Sequence, residues 1–247
     1  MNLSDRTCAH HEGVAAIAVC TQCEGDICGE CHGVDLRGLA VCAKCRGDRI
    51  PLGPPWELES AGPTPRGFAQ TVSQVLMAPR SFFQRVIPRK EWGPAAVFGV
   101  ICVAFGSLFN TLWQKAFSPE YAELLERYHD DFGIAPQGIE LLLFASIPVG
   151  AVFLYFFHTA LLYLTLKVFA VKGTNWPMVA RITGYSLAAY LLLIFPPIGE
   201  FSLGHFLMIL WLFNLEVTAV RWYFGLGFWK SMGVVLLPMM MFLMAGG

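Results

Sequence analysis

The second half of the chain is written as five apolar runs separated by short polar segments. Residues 93–117, 139–170, 178–195, 199–221 and 228–245 each read as a membrane-spanning helix, which needs about 20 apolar residues. The second run is longer than a bilayer requires at about 1.5 Å per residue, and it contains Pro148. The loops set an orientation. Arg80, Arg85, Arg89 and Lys90 precede the first run, Lys167, Lys172 and Arg181 surround the second connection, and Arg221 and Lys230 bracket the fourth. Residues 118–138 instead carry Glu120, Glu123, Glu126, Asp130 and Asp131 against Arg127. The positive-inside rule then predicts a multi-pass protein with its N-terminus in the cytosol and its C-terminus outside or in a lumen. Lys115, at the outer end of the first run, is the one dissenter from this pattern.

The segments between the runs carry weaker patterns. Residues 51–67 hold five prolines and three glycines and predict a linker. Residues 68–90 predict an amphipathic juxtamembrane segment. Phe68, Val72, Val75 and Leu76 share one helical face, and Phe82, Phe83, Val86 and Ile87 follow Pro79 beside the four cations. That pattern suits a helix lying on a lipid surface, with packing on the rest of the protein as the competing reading. Within 118–138, Ser118 and Pro119 start a short helix with Tyr121, Leu124, Leu125 and Tyr128 on one face.

Composition agrees with a membrane protein. Of 247 residues, 55% are hydrophobic and 14% charged, against about 25% charged in soluble domains. Mean hydropathy is +0.54. The net charge of −1 provides no basic field for nucleic acid. Residues 1–20 lack a cationic stretch followed by a long apolar one, so we expect no signal peptide and a cytosolic N-terminus, where thiols stay reduced.

Residues 1–50 differ in kind from the rest. Seven of the eight cysteines lie there, with a histidine, as four pairs of one spacing: Cys8 and His11, Cys20 and Cys23, Cys28 and Cys31, Cys42 and Cys45. A two-residue spacer lets both members of a pair reach one tetrahedral metal. Four residues between Cys23 and Cys28 are too few for neighbouring pairs to fold back on one ion, so the expected arrangement is interleaved. One Zn2+ takes Cys8, His11, Cys28 and Cys31; a second takes Cys20, Cys23, Cys42 and Cys45. A disulfide framework and an iron–sulfur cluster are the competing readings, disfavoured by the regular spacing and the histidine. His10 is the alternative to His11. Val14, Ile17, Val19, Ile27, Leu36, Leu39 and Val41 form the expected small core, with metal binding supplying the folding energy.

The pattern C-x2-H-x8-C-x2-C-x4-C-x2-C resembles a B-box zinc finger, which also uses a cross-brace. The last pair here is Cys42 and Cys45, where that family usually has histidine, and the spacer of ten before it is longer than usual. A second resemblance covers residues 70–245. APRSFF (78–83) before the first run, GYS (184–186) in the third and PPIG (196–199) after it resemble the YIP family of Ypt/Rab-interacting membrane proteins. That resemblance implies a five-helix membrane domain over residues 91–247, with the N-terminus inside. Family members bind Rab-type GTPases or act in vesicle membranes. The acidic DLYGP-type motif of eukaryotic members is absent here, and the pairing with a zinc finger resembles bacterial members, for which Rab proteins would not be partners.

The expected fold is therefore a small zinc-bound cross-brace domain joined to an all-α polytopic domain of five transmembrane helices. Ionisable groups inside a bilayer are costly, which singles out His158, Glu200, His205 and Glu216. Arg181 and Glu216 are expected to pair, and His158 to bond a neighbouring helix. Gly99, Gly106, Gly184, Gly225, Gly227 and Gly233, with Ala95, Ala96, Ala188 and Ala189, are expected to allow close helix approach. No protease motif or other catalytic set is present, so no enzymatic activity is expected. The expected function is a membrane adaptor or scaffold that presents the zinc domain to a cytosolic protein partner, with membrane organisation or trafficking as the expected setting; self-association of the bundle is a further expectation. The alternative is a small transporter or channel gated or assembled by the zinc domain, with the four intramembrane residues lining its path.

Overall fold

Two short hairpins build the N-terminal part, because its paired cysteines leave only two or three residues for each strand. In the computed structural model, which describes residues 6–21, 23–34, 40–46, 53–58, 63–86, 90–198 and 201–246, β1 (Ala18–Val19) pairs antiparallel with β2 (Asp26–Ile27). β3 (His32–Val34) pairs with β4 (Ala40–Cys42), which leads into a single helical turn, α1 (Ala43–Arg46). The buried cluster is mostly sulfur: Cys8, Cys20, Cys28, Cys31 and Cys42 surround Ile27 and Val41. Part of the expected apolar core lies elsewhere. Val14 and Ile17 are 46% and 59% exposed, because so small a unit packs around its ligands rather than around aliphatic side chains. Leu36 and Leu39 lie outside the described residues.

The chain divides into two compact units, residues 1–74 with 78–87, and residues 75–77 with 88–247. In the first unit the Pro-rich stretch has local order. Pro55–Glu57 form a 3-10 turn. The Trp56 amide donates to Thr71 Oγ1 at 2.9 Å, and its ring meets Phe68 edge-on at 5.9 Å. α2 (Pro65–Met77) begins inside the expected linker, with Pro65 in its first turn and Thr64 Oγ1 accepting the Gly67 amide at 3.1 Å. Ala78 breaks the helix, and Pro79 starts α3 (Pro79–Arg85). Phe82, Phe83 and Val86 are buried, and α3 packs on β3. The apolar face of α3 is therefore buried, in keeping with the competing reading of packing on the protein.

The second unit is helical. α4 (Gly93–Phe117), α5 (Pro119–Phe132) and α6 (Pro136–Val168) are followed by α7 (Trp176–Ser186), which continues as a 3-10 helix, Leu187–Ile194. α8 (Leu203–Phe224) and α9 (Phe228–Gly246) complete it. Among the described residues, four helices are long and apolar enough to cross a membrane: 93–117, 136–168, 176–194 and 203–224. α9 carries the apolar stretch Phe228–Met240. A bilayer is thus the protein's environment.

Burial ranks these helices. In the most apolar stretch of each, 72% of positions are buried for 176–194 and 17% for α6, so 176–194 is the centre of the bundle and α6 faces lipid. The 3-10 segment lengthens that central span. Eleven α-helical and eight 3-10 residues reach about 32 Å, where 19 α-helical residues would reach about 28 Å, against a hydrocarbon core of about 30 Å. Glycine lets α4 approach it. A Cβ on Gly99 would lie 2.6 Å from the Gly184 carbonyl oxygen, and Cβ atoms on Gly106 and Gly184 would overlap the carbonyls of Tyr190 and Ala95.

Candidate metal centres

Each hairpin holds a cysteine pair at its ends, and this is what gathers eight donors into two sets. Cys20 and Cys23 sit in the β1–β2 connection, and Cys28 and Cys31 between β2 and β3. Cys42 ends β4, and Cys45 lies one turn on in α1. Cys8, His11, Cys28 and Cys31 place one donor atom each within 4.8 Å of one another, and Cys20, Cys23, Cys42 and Cys45 do the same. Both groups are positioned to bind metal ions, and they are the interleaved sets expected from spacing. His11, not His10, joins the first.

In the first set Cys8 Sγ lies 3.7 Å from Cys31 Sγ, and His11 Nδ1 lies 3.3 Å from both Cys28 Sγ and Cys31 Sγ. In the second, Cys23 Sγ lies 3.8 Å from Cys42 Sγ. Backbone amides aim at the sulfurs. His10 N–H donates to Cys8 Sγ at 3.4 Å, Cys42 N–H to Cys20 Sγ at 3.1 Å and Cys45 N–H to Cys42 Sγ at 3.2 Å. Such donors favour the thiolate. On the far side of the His11 ring, Nε2 faces Glu30 Oε2 at 3.9 Å. A carboxylate behind a ligating imidazole fixes its tautomer once the two hydrogen-bond; nothing in the sequence singles out Glu30 beyond its position beside Cys31.

The sulfurs cannot all ionise side by side. At Cys8 burial acts upward but is outweighed by the His10 and Cys28 amides and the neighbouring thiols, which bring it down to about 6. Burial and contacts with Cys8 and Cys28 push Cys31 up to about 12. Contacts with Cys23 and Cys42 push Cys45 up to about 12. A bound dication removes this competition by favouring the thiolate at every position.

Inside the membrane unit the polar groups pair differently from the expectation. Glu216 does not meet Arg181. Its Oε1 lies 2.6 Å from His158 Nε2, with both side chains buried, and Arg181 Nη1 donates to the Glu91 carbonyl at 2.8 Å. Height along the helices suggested Arg181; the inward faces of α6 and α8 bring His158 instead, as its expected bond to a neighbouring helix. His205 Nδ1 bonds Ser202 Oγ at 2.6 Å, Lys115 pairs with Glu140 at 2.9 Å, and Glu200 lies outside the described residues.

A sequence model of the Yip1 domain matches residues 73–247. The chain belongs to the Yip1 domain family. Nothing matches it among curated proteins or among solved structures. The three short motifs take structural roles in this Yip1 chain. In APRSFF, Pro79 starts α3 and Phe82 and Phe83 are buried. In GYS, Gly184 admits the α4 backbone, Tyr185 packs on Phe98 at 5.4 Å, and Ser186 ends α7 where the 3-10 helix begins. Pro196 and Pro197 end that helix before α8, and Gly199 is outside the described residues.

Proposed function

We propose that this Yip1 family member is an integral membrane adaptor whose B-box-like, double-zinc N-terminal unit presents a protein-binding surface in the cytosol. Zinc is favoured by donor chemistry and spacing. A tetrahedron with metal–sulfur bonds of about 2.3 Å has edges of about 3.8 Å, which agrees with the sulfur separations of 3.7 and 3.8 Å. Each set is complete with four protein donors, so the chemistry it supplies is structural, with no open coordination position for a substrate. The adaptor reading assigns no reaction to the chain.

The observation that carries this reading is the apolar pair Val14 and Ile17, exposed on the metal-built unit. Exposed apolar residues beside a rigid framework suit a partner's side chains. α9 supplies the fifth span in this reading, which leaves the N-terminus in the cytosol and the C-terminus on the other side. The transport alternative has less support: His158 and Glu216 engage each other, and His205 engages Ser202.

Affinity purification with crosslinking, comparing the full chain with one lacking residues 1–50, tests the proposal. Specific partners that disappear with the truncation are the expected result; an identical set from both chains contradicts it.

A further inference from the structure

One built feature of the membrane unit belongs neither to the metal centres nor to the buried pair. It is a cavity of about 670 Å3 where α4 ends, α5 and α8 begin and the 3-10 helix ends. Those helix ends lie at one face of the bundle, so the cavity sits at the depth of lipid head groups rather than of acyl tails. Trp113 marks that depth: its indole N–H donates to the Ile194 carbonyl at 3.2 Å at the end of the central span, as interfacial tryptophans do. The volume lies in the usual range of small-molecule sites, about 300–1,000 Å3.

The lining is amphipathic. Trp113, Phe117 and Phe195 supply apolar wall, and Glu120, Ser202 and His205 supply polar groups. Ser202 Oγ engages His205 Nδ1 at 2.6 Å. When the hydroxyl donates, His205 Nε2 carries the proton and is a donor toward the cavity. Glu120 is exposed and lies in the first turn of α5, whose sequence adds Glu123, Glu126, Asp130 and Asp131 against Arg127. Lys115, in the last turn of α4, is paired with Glu140 at 2.9 Å. The site thus offers an acceptor for a cation, a neutral donor for a phosphate oxygen and no Lys or Arg among its described lining residues.

We propose that this cavity binds the head group of a phospholipid bearing a primary amine. The ammonium group sits on the Glu120 carboxylate, a phosphate oxygen accepts from His205 Nε2–H, and the glycerol end lies against Trp113, Phe117 and Phe195. An anionic head without an amine meets the acidic helix unfavourably. A quaternary amine has no N–H to donate to Glu120.

The full chain is reconstituted in an equal mixture of phosphatidylethanolamine, phosphatidylcholine and phosphatidylglycerol. It is then washed repeatedly in mild detergent, and the retained lipid is quantified by mass spectrometry. We expect phosphatidylethanolamine to be enriched about three-fold over the bulk mixture, the scale of one exposed charge-assisted contact, and both H205A and E120Q to return it to the bulk ratio. Retention at the bulk ratio by the unmodified chain, preferential retention of phosphatidylglycerol, or enrichment unchanged in E120Q would each overturn the proposal. Glu120 is exposed, so E120Q keeps the fold and decides the matter even where H205A does not fold. The outcome is independent of partner binding by the zinc unit.

Discussion

His158 of α6 and Glu216 of α8 meet at 2.6 Å in the interior of the membrane unit, 58 residues apart in sequence. Both side chains are buried, and Glu216 Oε2 has no hydrogen-bond partner. Each residue makes the other tolerable in that position. Removing one leaves the other buried without its partner, which costs about 3–5 kcal/mol. His158→Leu and Glu216→Leu should each lower the thermal midpoint of the purified protein strongly, and the double variant should recover most of the loss. Midpoints that fall additively would contradict the pairing.

Glycines at the α4 contact are set by backbone approach. Gly184→Ala forces a methyl group into the Ala95 carbonyl, and Gly106→Ala into that of Tyr190, while a Cβ on Gly150 meets nothing within 4 Å. Overpacking costs about 1–3 kcal/mol. The first two variants should be destabilised on that scale in a denaturant titration and Gly150→Ala should not be.

Much of this architecture is legible in the sequence, for identifiable reasons. The donor sets follow from a two-residue spacer repeated four times. Of the glycines expected to allow close approach, Gly99, Gly106 and Gly184 do so, whereas a Cβ on Gly225 or Gly227 meets nothing within 4 Å. The Arg181–Glu216 expectation failed because depth in the membrane is readable from sequence position, whereas the facing of α6 against α8 depends on packing. Val14 and Ile17 read as core because they are aliphatic; the sulfurs of Cys20, Cys28 and Cys42 occupy the interior in their place. The 3-10 stretch Leu187–Ile194 has no local signal, since leucine and alanine favour α-helix and the tighter winding is fixed by its neighbours.

Metal content should separate ligands from bystanders. The purified chain should hold two Zn2+, His11→Ala or Cys20→Ser one, and His10→Ala or Cys102→Ser two. Cys102 is buried in α4, far along the sequence from either set. Elemental analysis after gel filtration reads the number; loss of metal in His10→Ala with retention in His11→Ala would reverse the assignment.

Metal binding should release protons. Before binding, Cys31 and Cys45 hold their protons up to about 12, and binding requires both as thiolates. Protons and metal therefore compete: affinity rises with pH through the neutral range and falls on acidification. Calorimetry of metal addition in buffers of different ionisation enthalpy should give a buffer-dependent heat, and a heat independent of buffer would contradict this.

The central claim is that metal-built structure holds a recruiting surface on this membrane protein. The most direct measurement is crosslinking capture by the full chain carrying Val14→Asp and Ile17→Asp, with its metal content and membrane insertion measured in parallel. Both residues are exposed, so the account predicts two Zn2+ per chain, normal insertion and loss of the specific partners. Capture of the same partners by the intact, metal-loaded variant would contradict it.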